Sequence, residues 1–167
     1  MPVIESTKDV DALTMTMVVE LAATPARAWQ LWEDPRQLER WWGPPGWPAT
    51  FHDHQFTEGG RSKYYMTGPD GSRAHGWWQF SSIQPTDGLS FDDGFADESG
   101  EPADEHDAAL IHVALEPMGD GTRMTVTTRF QSTDQLERML EMGMQDGMRL
   151  ALGQIDDILA EAPKEKV

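Results

Sequence analysis

The chain has 167 residues, with 13 basic against 29 acidic side chains for a formal net charge of −16, and no cysteine. That length fits one domain with a sizeable core, since about 150 residues bury roughly 68–70% of the surface their unfolded chain exposes. The missing cysteines exclude disulfides and thiolate metal sites. The acidity works against binding to phosphate backbones or anionic lipid surfaces, and otherwise serves solubility.

Residues 1–11 read as a polar, loose lead-in, with no basic segment followed by the apolar run of a secretory signal. No stretch reaches the apolar length of a membrane span. The expectation is a cytoplasmic protein with one domain over residues 12–162 and a short tail at 163–167. In the first element Met15, Met17, Val19 and Leu21 alternate with Thr14, Thr16 and Glu20, which predicts a half-buried strand. Thr24-Pro25 and Asp34-Pro35 each pair an N-cap residue with a proline at the first helical position. They start two short helices carrying Trp29 and Trp32, then Leu38, Trp41 and Trp42. Gly43-Pro44-Pro45-Gly46 stops the second.

Strands are predicted at Ala49–Phe56, Arg61–Thr67, His75–Ile83, Leu89–Phe95, Leu110–Glu116 and Thr122–Phe130, several of them joined by turns such as Pro69-Asp70-Gly71 and Gly119-Asp120-Gly121. Tight turns between consecutive strands imply an antiparallel sheet, and helices segregated from strands imply an α+β fold. Residues 92–107 carry eight acids (Asp92, Asp93, Asp97, Glu98, Glu101, Asp104, Glu105, Asp107) and no Lys or Arg. This reads as a solvated loop, with a calcium site as the sharper alternative, although the spacing is not that of an EF-hand.

Ser132 with Gln135 three residues on is a capping signature. The apolar residues Leu136, Leu140, Met144, Met148, Ala151, Ile155 and Ile158 then repeat at helical spacing. One long helix to about Glu161 is expected, with Gly143, Gly147 and Ala151 as a line of small residues. Each mid-helix glycine costs about 1 kcal/mol relative to alanine. A helix lying over a sheet with space beneath would explain why two are present.

The order of elements and several local strings resemble the START-like (Bet v 1-like, SRPBCC) superfamily, in the branch related to the C-terminal domain of the activator of Hsp90 ATPase. The strings are Thr24-Pro25 with Trp29, Asp34-Pro35 before Trp41-Trp42-Gly43-Pro44, Gly59-Gly60, Gly68-Pro69-Asp70-Gly71, Gly76-Trp77-Trp78, Gly121-Thr122-Arg123-Met124-Thr125 and Leu140 to Gly147. The resemblance implies a helix-grip fold, in which a curved antiparallel sheet (about seven strands) wraps a long C-terminal helix around a cavity. It also implies a spread of roles: lipid and hormone carriers, polyketide cyclases and chaperone activators. Fold therefore does not choose the chemistry.

On this reading Trp41, Trp42, Tyr64, Met66, Trp78, Phe91, Met124, Met144, Gly147 and Met148 are the expected ligand-binding residues. The seven tryptophans are otherwise core packing, Trp29 and Trp32 above all. The ten methionines fill gaps or line a wall that accepts varied apolar shapes. His52 and His54 are expected on one strand face, a spacing that could hold a metal only with a third ligand. His75, His106 and His112 stand alone, and Arg61, Arg123 or Arg129 would anchor a ligand carboxylate if turned inward. No nucleophile motif, phosphate loop or cofactor motif is present. The expected partner is a small hydrophobic or amphipathic molecule, held without catalysis. A cyclase- or hydrolase-like enzyme, an Hsp90-binding module and a homodimer are the alternatives; no catalytic residue, metal or cofactor is assigned.

Overall fold

The structure, a computed structural model, describes residues 3–104 and 107–161. Its strands are β1 (Val3–Asp9), β2 (Thr14–Leu21), β3 (Ala49–His54), β4 (Arg61–Thr67), β5 (Arg73–Gln84), β6 (Gly88–Phe95), β7 (Ala109–Met118) and β8 (Gly121–Arg129). Helices α1 (Pro25–Glu33) and α2 (Pro35–Leu38) follow β2, and α3 (Thr133–Glu141), α4 (Met144–Leu152) and α5 (Ile155–Ala160) close the chain. The eight strands form one antiparallel sheet in the order β1-β2-β8-β7-β6-β5-β4-β3. This is the helix-grip α+β architecture, one strand larger than the sequence implies.

The added strand is β1, where residues 1–11 read as a lead-in. It pairs along β2 from Asp9↔Thr14 to Val3↔Val19. Its side chains from Glu5 onward are mostly exposed, so backbone hydrogen bonds define it and no apolar alternation announces it. The tail at 163–167 lies outside the described residues.

One face of the sheet carries the core. Met15, Met17, Val19 and Leu21 of β2 and Ile111, Val113 and Leu115 of β7 are buried at every second position, as alternation requires. The two proline starts cap as expected: the Thr24 side chain accepts from Arg27 N and the Asp34 side chain from Arg36 N. They bring Trp29, Leu31, Trp32, Trp41 and Trp42 onto the same face.

The expected single C-terminal helix is three segments. Gly143 lies between α3 and α4 at φ +85°, a left-handed conformation that ends a helix and that glycine adopts without a Cβ penalty. Gly153 separates α4 from α5. The capping expectation holds with one change: Ser132 Oγ accepts from Gln135 N at 3.1 Å, but Gln135 Oε1 reaches back to Gln131 N at 2.7 Å. The buried Gln135 amide also donates to Asp107 O at 2.9 Å, tying α3 to the segment before β7. At the other end Gln154 Nε2 donates to Gly43 O at 2.6 Å. The helices are thereby pinned at both ends, and α4 rests against β1 and β2.

Candidate ligand-binding cavity

Between α3–α4 and the inner face of β4–β6 lies an open cavity of about 480 Å³. Trp42, Pro44 and Trp47 border it from the segment after α2, Tyr64, Met66 and Ala74 from β4 and β5, and Asp93, Gly94 and Phe95 from β6. Ala109, Met139 of α3, Met142 and Gly143 at the bend, and Met144, Gly147 and Met148 of α4 complete it. Of the ten expected residues, Trp42, Tyr64, Met66, Met144, Gly147 and Met148 border this space.

Trp41, Trp78, Phe91 and Met124 do not border it. All four are fully buried in an aromatic cluster nearer α1. Trp78 stacks on Phe91 at 4.1 Å, Trp32 meets Trp41 edge-on at 4.7 Å, and Trp32 Nε1 donates to Met124 Sδ at 3.3 Å. Trp41 Nε1 donates to Leu31 O at 3.0 Å. Ring area that could face a ligand is consumed by other rings, because edge-to-face and offset pairs add to the burial they already gain.

Glycines shape the space in two ways. A Cβ at Gly76 would fall 2.3 Å from the Tyr64 ring, so only glycine there lets Tyr64 lie flat across β5. A Cβ at Gly147 would meet nothing within 4 Å. On the expected small-residue line Gly143 and Gly147 both border the cavity and leave open space, Gly143 as the bend between helices and Gly147 within α4, whereas Ala151 is buried in packing.

The polar centre of the cavity is Asp93, which belongs to the acidic run of residues 92–107 in the sequence. It sits on the same face of β6 as Leu89 and Phe91, with Ala109 as its register partner. The alternation Leu89, Phe91, Asp93 is the signal that points it inward. Tyr64 OH donates to Asp93 Oδ1 at 2.8 Å. Burial among apolar groups pushes the Asp93 carboxyl up to about 7, against the opposing pull of Tyr64 and the nearby Trp78 indole. Burial also raises the Tyr64 phenol well above its ordinary value, and the Asp93 charge adds to this. The phenol therefore remains a proton donor at any ordinary pH. Trp78 Nε1 completes no hydrogen bond with a described residue.

The other candidates lie elsewhere. A bulge at His52 shifts the β3–β4 register between Phe51↔Tyr64 and Asp53↔Lys63. His52 and His54 consequently do not share a face: His54 turns into the core beside Phe51, and His52 packs outside near Tyr65. His54 is held by Ser62 Oγ at 2.7 Å and Trp32 O at 3.0 Å, and burial lowers its pKa. His75 and His112 do not line the cavity, and His106 lies outside the described residues. Arg123 is exposed beside Glu20, Arg129 is exposed, and Arg61 lies along the Trp77 ring; none turns into the cavity. In the acidic loop Asp97 Oδ1 accepts from Ser99 N at 2.9 Å and Glu101 pairs with Lys63 at 2.8 Å. Among the described residues no group of three or more His, Asp or Glu is placed to hold a metal ion; Glu105 lies outside them. No helix of the described residues is long and apolar enough to cross a membrane.

The family model described as Activator of Hsp90 ATPase homolog 1-like protein matches residues 22–160. The chain belongs to this family. Among solved structures it is similar to a protein from Arthrobacter aurescens, with 55% identity over 95% of this chain and 92% of that one, at a TM-score of 0.90. It is also similar to protein Ms6760 from Mycobacterium smegmatis, with 40% identity over 97% and 99% of the two chains and a TM-score of 0.88. The AHSA1 protein from Silicibacter pomeroyi shares the fold at 20% identity, over 88% and 97% of the two chains, with a TM-score of 0.70. The chain matches no curated protein. The AHSA1-like family thus accounts for the sheet and its helices.

Proposed function

We propose that this chain binds a small hydrophobic or amphipathic molecule in the cavity between β4–β6 and α3–α4. The observation that carries this reading is an open space of about 480 Å³ whose border is almost wholly apolar and aromatic, with one carboxyl and one phenol as its titratable groups. Small-molecule pockets span roughly 300–1,000 Å³ and pair apolar walls with few polar groups. Removing apolar surface from water gains about 25 cal/mol per Å², which gives such a wall its affinity. Five methionines on the border can repack around different shapes. Native mass spectrometry of the purified protein, followed by solvent extraction, tests it with Gly147→Leu as the control. The wild type should carry or take up an apolar molecule that the variant, its cavity filled, holds at least tenfold more weakly. Equal affinity sinks the reading.

A second reading rests on Asp93 alone. A carboxyl poised near 7 is suited to general acid–base work at neutral pH, as a cyclase- or hydrolase-like enzyme would need. In that case an extracted molecule would be turned over, and Asp93→Asn would abolish turnover while leaving binding. The family's description also raises Hsp90 as a partner. Its capture with this chain in the absence of any extractable molecule would favour a protein-binding module instead.

A further inference from the structure

The cavity is chemically lopsided. Among its bordering residues Asp93 and Tyr64 are the titratable ones, and none is basic. The Tyr64 hydroxyl is already committed to Asp93 Oδ1, and Oδ2 accepts no completed hydrogen bond from a described residue. A fatty acid or other anion entering here would meet a carboxylate and no countercharge. A neutral apolar molecule would cover the carboxyl without bringing a countercharge, so its ionised form would bear a desolvation cost with only the Tyr64 hydroxyl as partner. A cation removes that cost, and the rings of Trp42, Trp47 and Tyr64 border the same space, where π-faces attract positive charge. The chain's net charge of −16 also concentrates cations around it.

We propose that Asp93 anchors the ammonium head of an amphipathic amine, whose apolar body lies against Trp42, Met66, Met144 and Met148. This rests on the ligand-binding reading above and names the ligand class. Asp93 must ionise to hold the amine, so binding strengthens as pH rises through the range in which it loses its proton. The groups facing the carboxyl are Tyr64 from β4, Trp78 from β5, Ala109 from β7 and the methionines of α3 and α4. Tyr64 alone among them is titratable, and it stays protonated. Asp92 belongs to the opposite face of β6.

The test is a titration with three chain-matched probes, decylamine, 1-decanol and decanoate, kept below their micellar concentrations and followed by calorimetry and tryptophan fluorescence. At pH 8 decylamine should bind at least tenfold more tightly than decanol, and decanoate most weakly. The amine-to-alcohol ratio should fall severalfold between pH 8 and pH 5 in the wild type, a measurement that needs no variant to fold. Asp93→Asn should bring the ratio near one while decanol affinity is kept. Asp120→Asn, which removes the same charge from the exposed β7–β8 turn, should leave the ratio unchanged. A ratio near one in the wild type, a ratio that survives Asp93→Asn, or a ratio flat from pH 5 to 8 overturns the amine anchor while the cavity reading stands. If none of the three probes binds, the cavity reading itself fails and the anchor with it.

Discussion

The concave face of the sheet holds two environments built from similar residues. Near α1, Trp32, Trp41, Trp78 and Phe91 are fully buried and contact one another ring to ring. Under α3 and α4, Trp42, Trp47, Met66, three helix methionines and Met142 of the bend border a space of about 480 Å³. The difference lies in what covers each. The first region is capped by a helix that contributes large rings, including Trp29 and Trp32. The second is spanned by helices that bend at Gly143 and present Gly147 where a side chain could have filled the gap. Aromatic content alone therefore does not distinguish an open wall from packed core; the absence of a filling partner does.

Three tests separate the two environments, the largest expected effect first. Trp32→Ala should destabilise the protein by about 3–5 kcal/mol, the range for deleting a fully buried aromatic ring, as read from the urea midpoint. A loss below about 1 kcal/mol would mean the closed region is as loosely packed as the open one.

Asp93→Asn tests the polar centre of the open region through pH. Its folded-state pKa of about 7 lies above the ordinary 3.8, so between roughly pH 4 and 7 the folded chain holds a proton that the unfolded chain has released. Stability contributed by the protonated carboxyl is therefore present at low pH, declines as pH rises through that window, and is flat above about 7. Asp93→Asn should remove this slope and be the more stable protein at pH 8, by on the order of a few kcal/mol. Parallel stability profiles for variant and wild type from pH 5 to 8 would show that the carboxyl is not held in an apolar setting.

The smallest effect contrasts two glycines four residues apart. Gly143→Ala forces a Cβ onto a backbone at φ +85° and should cost about 1 kcal/mol. Gly147→Ala enters open space within a helix and should gain up to about 1 kcal/mol from helix propensity. Thermal melts that shift in the same direction for both would contradict their separate roles.

The sequence makes most of the architecture legible because its signals are local. Thr24-Pro25 and Asp34-Pro35 announce two helix starts through capping chemistry confined to a few residues. Alternation in β2, β7 and β8 announces strands, because burial on one face dictates every second residue. The edge strand β1 stayed hidden, since its place depends on backbone pairing with β2 that polar side chains do not report. Gly143 looked like part of a small-residue stripe and is a bend, since the sign of φ is not written in the residue's name.

For the candidate cavity, the chain by itself determines the inventory: tryptophans after the first strand, methionines on the last helices, a glycine facing inward and an aspartate in step with Leu89 and Phe91. The tertiary structure alone decides which of these share a border. Trp78 and Trp42 are both buried aromatics in strongly patterned segments, yet only Trp42 borders the open space. That distinction depends on which other rings fill the neighbouring volume. Asp93 belongs to an acidic run in the sequence, and its raised pKa exists because β4, β5 and the helices close apolar groups around it. Local pattern sets which way a side chain points, whereas the space and dielectric it meets there come from residues distant along the chain.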